Sequence, residues 1–355
     1  MPRHQAMYYE KLEEGRVRCV LCPHHCRLKK GETGLCGVRL NQGGELYTEN
    51  YEEISSLALD PIEKKPLYHF YPGSNILSLG TFGCNLFCPF CQNYSLAHAG
   101  RTVNRQGIGE PGAEVTGSQM IPRPGSYVRN GHWLETMTLQ AVREGSVGVA
   151  FTYNEPSIWY EYVLECAARL QELGQKVVLV TNGYIEREPL RHLLPLVDAM
   201  NIDVKSFDPE FYKKHCRGKL EKVMENVELA ASECHVEITT LIIPGENDDP
   251  AEIGDLATWL AGIDPHIPLH LSRYHPAFTF DRPATPEDVM VRAREKAREH
   301  LDFVYLGNLA GETNSTACLN CGEVLIQRNL YQTRLVHLTG HSCSSCGMPI
   351  DYIKY

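Results

Sequence analysis

The chain has 355 residues and a net charge of −10, with 34 basic residues against 44 acidic ones. That balance argues against a nucleic-acid binder that works by neutralising phosphates. Hydrophobic residues at 43% and charged residues at 22% describe a soluble globular chain, long enough for one large α/β domain with small appendages.

Met1 to Gly15 carries charges without an apolar core, so no secretory signal is expected, and no apolar run approaches a membrane span. Of the 14 cysteines, eleven fall into three tight groups, and Cys166, Cys216 and Cys234 stand alone. Grouped thiols without a leader point to metals in a reducing cytosol rather than to disulfides. The expected location is cytoplasmic. An oxygen-poor host fits, because solvent-reachable clusters oxidise.

The first group is Cys19-x2-Cys22-Pro-His-His-Cys26, then nine residues, then Cys36-Gly37-Val38-Arg39. Lys29, Lys30, Gly31 and Gly34 between them predict a turn-rich loop rather than an element. Four thiolates suit either zinc or a closed iron–sulphur cluster. His24 and His25 are further donors within reach. Residues 45–75 read as short strands and turns, and Asp60 to Pro66 breaks any helix.

Asn75-Ile76-Leu77-Ser78-Leu79-Gly80 reads as a buried strand, and the second group leaves its carboxyl end. There Cys84, Cys88 and Cys91 are spaced x3 then x2, with Phe90 before the last. Thiolates this close on one loop can hold three corners of an iron–sulphur cubane, leaving one iron without a protein ligand. An open position separates a reactive metal site from a closed structural one. A zinc knuckle would instead pair two CxxC units.

The interval 100–131 holds seven glycines and three prolines and shows no periodicity. It reads as a long loop, a tolerated insertion rather than a lid. From 132 the chain alternates. Helices are expected over 134–144, 157–173, 188–197, 219–232, 250–262 and 285–300. Strands are expected over 146–152, 176–181, 199–205, 235–243 and 267–271, with 303–306 appended. With 76–80 as the first strand, this predicts a partial (β/α)6 TIM-type barrel with its active-site loops at the strands' carboxyl ends.

Those ends read Thr152-Tyr153-Asn154-Glu155-Pro156, Thr181-Asn182-Gly183-Tyr184, Asn201-Ile202-Asp203-Val204-Lys205, Ile243 to Asp248, and Leu271-Ser272-Arg273-Tyr274-His275-Pro276. Any one alone is a turn, a cap or an ion pair. Together they converge on one mouth. The tail closes with Cys318-x2-Cys321-Gly322 and Cys343-x2-Cys346-Gly347, with 21 residues between Cys321 and Cys343. Paired knuckles of this kind resemble a zinc ribbon, with rubredoxin-like iron as the rival. Three parts follow: an N-terminal cysteine-rich segment (1–70), the barrel (71–310) and a zinc-ribbon-like module (311–355).

The Cys84-Cys88-Cys91 loop, the Asn154-Glu155-Pro156 and Thr181-Asn182-Gly183 turns and Asp203-Val204-Lys205 together resemble the pyruvate formate-lyase-activating-enzyme branch of the radical S-adenosylmethionine (SAM) proteins. The N-terminal cysteines and Tyr153-Asn154-Glu155-Pro156 look closer to the radical SAM enzyme of the AmmeMemoRadiSam system. The resemblance covers roughly residues 19–310 and implies a partial barrel of the radical SAM type. It implies a [4Fe–4S] cluster on Cys84, Cys88 and Cys91 whose open iron is chelated by SAM. It places Asn154, Glu155, Thr181, Asn182, Asp203, Lys205 and His275 around that cofactor. Reductive cleavage would yield methionine and a 5′-deoxyadenosyl radical. Val180 stands where the activating enzymes have an aspartate, so their monovalent-cation site is not expected.

For the N-terminal cysteines, four thiolates on one turn-rich loop leave a second [4Fe–4S] cluster or zinc open, with the cluster expected. Implied partners are a low-potential electron donor of flavodoxin or ferredoxin type and AMMECR1-type and Memo-type proteins, with no membrane and no nucleic acid. Two rival readings are an activase acting on a protein's glycine and a non-catalytic iron–sulphur electron-transfer protein.

Overall fold

The computed structural model describes residues 4–104, 107–109, 119–121, 131–309 and 314–355. Its frame is one sheet of eight strands: β1 (Ser56–Pro61), β2 (Asn75–Gly80), β3 (Ser146–Phe151), β4 (Lys176–Thr181), β5 (Ala199–Asp203), β6 (His235–Ile242), β7 (Leu269–Arg273) and β8 (Val304–Gly307). They pair in strict chain order. β2 to β8 are parallel neighbours, and β1 runs antiparallel along β2. Near-continuous apolar runs such as Val177-Val178-Leu179 suit strands covered on both faces.

Helices return the chain between strands: α1 (Gly131–Arg143), α2 (Tyr160–Glu172), α3 (Arg187–Leu193), α4 (Leu220–Ala231), α5 (Pro250–Ile263) and α6 (Glu287–Ala297). Local chemistry sets several boundaries. Asp249 accepts a bond from Ala251 N at 2.9 Å ahead of Pro250, capping α5. α3 gives way at Leu194 to a 3-10 turn containing Pro195, which cannot donate to a helical ladder. No described helix is long and apolar enough to cross a membrane.

Two expectations change. The barrel is an open sheet with β8 and β1 as its described edges, and it has seven parallel strands rather than six plus an appendage. The extra edge strand, β1, comes from the segment assigned to the N-terminal cysteine module. Its residues are mostly half-buried, so it lacks the apolar run that marks a buried strand. Pro61 closes it at a sheet edge, where a missing N–H costs little. The interval 100–131 is also more than a loop. Thr102–Asn104 pairs with Gly107–Ile108 on one side and Gln119–Met120 on the other. Residues 105–106, 110–118 and 122–130 of that interval lie outside the described residues.

Strand alternation sorts the sheet's inner face by height. Low in it, Ile76, Ala150, Val178 and Ala199 pack with Ile62, Leu67 and Phe70 as a closed apolar plug. Further along β5 the inward positions become Asn201 and Asp203, joined by Thr239 of β6 and Ser272 of β7. A dry floor and a polar rim result.

Ahead of the sheet, Tyr9–Lys11, Val17–Cys19 and Arg27–Leu28 form one small antiparallel sheet. The predicted turn-rich loop therefore includes a hairpin, and Cys19 N donates to Cys26 O at 2.9 Å. A second small sheet joins His4–Gln5, Glu45–Thr48 and Arg39–Gln42. From it Arg39 reaches α2, where both Glu161 oxygens accept bonds from its Nη2 at 2.8–2.9 Å in a fully buried pair.

Candidate active site

The loop after β2 and the ends of β3, β4 and β5 surround one open cavity. Cys84, Cys88, Cys91, Asn154, Glu155, Thr181, Asn182, Asp203 and Lys205 all line it. The sheet rim brings them together, since each follows a strand whose apolar half is anchored in the core.

Glu155 is the knot of this arrangement. It is fully buried, and its Oε1 accepts from Thr181 Oγ1 at 2.6 Å and Ser157 N at 2.9 Å. Its Oε2 accepts from Asn182 N at 2.8 Å. Burial pushes this carboxyl up, against the pull of those donors. One side chain thus caps the turn leading into α2 and fastens the end of β3 to that of β4.

Asn154 works in the other direction. Its Oδ1 accepts from Thr81 N at 2.9 Å and its Nδ2 donates to Gly83 O at 3.0 Å. It clamps the root of the cysteine loop. Asn182 continues the chain of contacts, donating to Asn85 Oδ1 at 2.9 Å and lying 3.7 Å from Cys84 Sγ. Asn85 in turn donates to Tyr184 O at 2.6 Å. Asp203 Oδ2 and Lys205 Nζ form an ion pair at 2.7 Å. Burial would lower Lys205, but Asp203 and the nearby thiols hold it above its ordinary value.

The donor set fits a cluster with one open position. Three thiols face one cavity, and Leu86 N points at Cys84 Sγ at 3.4 Å. Burial raises the Cys91 thiol to about 12, so thiolate at this position needs a cation to hold it. Cys216 Sγ sits 3.7 Å from Cys88 Sγ but does not line the cavity. His275 does not line it either. It is exposed, because β7 ends at Arg273 and the alternation that turns Ser272 inward stops there.

Two groups, His98 on the cavity wall and Arg101 behind it, carry no motif in the sequence. His98 is buried in the wall, its Nδ1 accepts from Arg101 Nη1 at 2.9 Å, and its Nε2 has no partner. Burial and then Arg101 push His98 down to about 3, so the ring is neutral and its proton sits on Nε2. Arg101 itself reaches the Leu35, Cys84 and Leu86 carbonyls. Only their spacing after the cysteine loop could have suggested them.

The other two cysteine groups lie apart from this cavity. Cys19, Cys22, Cys26 and Cys36 line a small one of their own. At the tail, Cys318, Cys321, Cys343 and Cys346 bring their sulphurs within 4.8 Å of one another. Cys318–Cys346 and Cys321–Cys343 are 3.7 and 3.8 Å apart. Metal–sulphur bonds of about 2.3 Å in a tetrahedron give edges of about 3.8 Å, so this group fits a single tetrahedral ion. The two knuckles match: Gly322 N donates to Cys318 O at 2.9 Å and Gly347 N to Cys343 O at 2.8 Å.

Comparison with known proteins gives four findings. Residues 78–257 match the model of the radical SAM superfamily. An uncharacterized protein of Methanocaldococcus jannaschii is 40% identical, covering 98% of this chain and 99% of its own. The (2S)-3-sulfopropanediol dehydratase activating enzyme of Klebsiella oxytoca is 26% identical over 114 residues, which cover 32% of this chain and 36% of that enzyme. Among solved structures, a domain of pyruvate-formate lyase-activating enzyme from Bacteroides vulgatus superimposes on 45% of this chain and 99% of its own, at 22% identity and a TM-score of 0.41.

Proposed function

This chain belongs to the radical SAM superfamily and is an enzyme of that class, and we propose that Cys84, Cys88 and Cys91 hold its [4Fe–4S] cluster and that SAM occupies the rest of the cavity. The reading rests on one observation above all: three thiols and the strand-end motifs of β3, β4 and β5 line a single cavity. When bound and reduced, such a cluster cleaves SAM to methionine and a 5′-deoxyadenosyl radical, which takes a hydrogen atom from a substrate.

The chain's own residues bind and orient. Asp203 and Lys205 present both charges at the cavity edge, suited to an amino-acid moiety that carries both. Glu155 spends most of its acceptor capacity on Thr181, Ser157 and Asn182, so its role is to hold the turns that shape the pocket. The apolar plug keeps water from the floor. At the tail, the four sulphurs hold zinc as a structural ion.

The AmmeMemoRadiSam reading, with AMMECR1-type and Memo-type partners and a flavodoxin- or ferredoxin-type donor, rests on the N-terminal cysteine motif and Tyr153 to Pro156. The similarity to an activating enzyme favours a second reading, in which the hydrogen comes from a protein's glycine. In either case the test is anoxic incubation of iron-loaded protein with SAM and dithionite, followed by chromatography of 5′-deoxyadenosine. Wild type should form it and Cys88→Ala should not. A fully loaded protein with a reducible cluster that forms none, with candidate partners added, would overturn the proposal.

A further inference from the structure

We propose that Cys19, Cys22, Cys26 and Cys36 bind a second [4Fe–4S] cluster, through which electrons reach the cluster held by Cys84, Cys88 and Cys91. The site itself stands on its own geometry; its relay role rests on the function proposed above.

Four observations identify the ligand. All four sulphur-bearing residues line one small cavity between the N-terminal hairpin and Ile158. Their sulphurs are not drawn together as a single ion requires: among the described residues only the tail group closes within 4.8 Å. A cubane spreads its four thiolates over four separate irons and so holds them farther apart. Arg39, whose Nη2 is paired with Glu161, lines the same cavity, and its buried Nε–H has no hydrogen-bond partner. A four-thiolate cluster carries net negative charge and sulphur acceptors, which this free donor would face. Finally, Leu35 N points at Cys26 Sγ at 3.5 Å, an amide aimed at sulphur.

Four contacts identify the electron's destination. Cys84 N donates to Cys36 O at 3.3 Å, so a cysteine of one group bonds directly to a cysteine of the other. Arg101 Nη2 donates to Leu35 O and to Cys84 O, bridging the two loops. His24 Nε2 meets Asn85 O at 2.7 Å. Gly83, at φ +94, lets the loops approach this closely; a Cβ there would stand 2.8 Å from Cys36 O. Cys22 and Cys26 are half-buried rather than sealed, which leaves a side for a donor protein to approach.

No bond forms or breaks in the transfer. One electron enters the oxidised second cluster from a low-potential one-electron donor of flavodoxin or ferredoxin type. It then passes to the central cluster, and the second cluster returns to its oxidised state.

The full chain, purified anoxically and reconstituted with iron and sulphide, provides the test. Wild type should hold roughly eight irons per chain in two cubanes by elemental analysis and Mössbauer spectroscopy. Cys22→Ser/Cys26→Ser should hold roughly half. A Cys84→Ala/Cys88→Ala/Cys91→Ala variant should keep a cubane signal; it serves as the second probe if the first variant folds poorly. Zinc at the N-terminal site, or equal iron in wild type and the Cys22/Cys26 variant, overturns the proposal.

For the relay, the ratio of donor-protein-driven to dithionite-driven 5′-deoxyadenosine formation should be lost in the Cys22/Cys26 variant. An unchanged ratio overturns the relay. A separate readout guards the earlier reading: SAM should change the electron paramagnetic resonance of the reduced central cluster. Its absence in wild type defeats SAM binding there, while the iron count still decides the second cluster.

Discussion

Asn154 illustrates how a single side chain can root a loop: its amide bonds to both Thr81 N and Gly83 O. Asn154→Ala would leave a buried donor and acceptor unpaired, at a cost of about 1–3 kcal/mol. We expect a lower melting temperature together with poorer iron retention by the cysteine loop. A variant as stable as wild type that binds iron equally well would show that the clamp is idle. Glu155→Gln should be worse. Three donors converge on the carboxylate, and an amide NH2 must face one of them. SAM affinity should weaken while the cluster's visible absorption persists, and equilibrium dialysis would show whether it does. Of these residues, Asn154 and Glu155 stood out in the sequence because they sit in a turn with a recognisable pattern. Asn85, His98 and Arg101 did not, because their importance comes from partners distant in the chain.

Between elements, the buried Arg39–Glu161 pair ties the N-terminal sheet to α2. Met7 N also donates to Glu161 Oε1, at 2.7 Å, so the carboxylate serves two neighbours. Removing one member of a buried pair strands a charge, typically at about 3–5 kcal/mol. Glu161→Ala should therefore lower stability by that order, measured as the urea midpoint of anoxic protein. A shift below about 1 kcal/mol would mean that water reaches Arg39 and the pair is not isolated. The sheet itself was legible strand by strand from periodicity, and β3 to β7 were expected within a few residues of where they lie. β1 was expected only as one of the short strands over 45–75 and not as a member of this sheet, because a half-exposed edge strand has no long apolar run to betray it. α3 ended early at Pro195, a stop that the sequence carried in plain view.

Across the whole molecule, the tail closes the bottom of the sheet. Lys354 N donates to His69 O at 2.7 Å, and Arg328 Nη2 donates to Tyr68 O. Glu237, buried within β6, accepts from Tyr68 N at 2.9 Å and His69 N at 2.7 Å. His69 Nε2 meets Tyr305 OH at 2.7 Å. Replacing Cys343 and Cys346 should abolish the zinc binding proposed for the tail and loosen it, lowering the melting temperature while SAM cleavage remains measurable. Complete loss of cleavage in protein whose sheet stays folded would put the tail in the catalytic machinery.

The same contact makes a pH prediction. Burial pushes the His69 imidazole down to about 3, against the pull of Glu237, whereas an unfolded histidine titrates near about 6.5. A folded-state value below the unfolded one means that the full contribution is present above about pH 6.5 and declines as pH falls toward about 3, by up to roughly tenfold in the folding constant per unit. His69→Gln should flatten the acid limb of stability measured from about pH 7 to about pH 4. Parallel limbs for the two proteins would refute the assignment.

By itself the sequence determined the family and its local motifs. The three cysteine groups, the strand-end motifs and the alternation of strands and helices are local patterns, written in spacing that survives without coordinates. Only the tertiary structure decided how these parts meet: that Cys36 touches Cys84, that Arg39 lines the N-terminal cavity, that Glu155 is occupied by the protein's own donors, and that His275 stays outside. Those facts depend on contacts between residues tens to more than a hundred positions apart, and such contacts form only once the apolar strands have packed and fixed which side chains face one another.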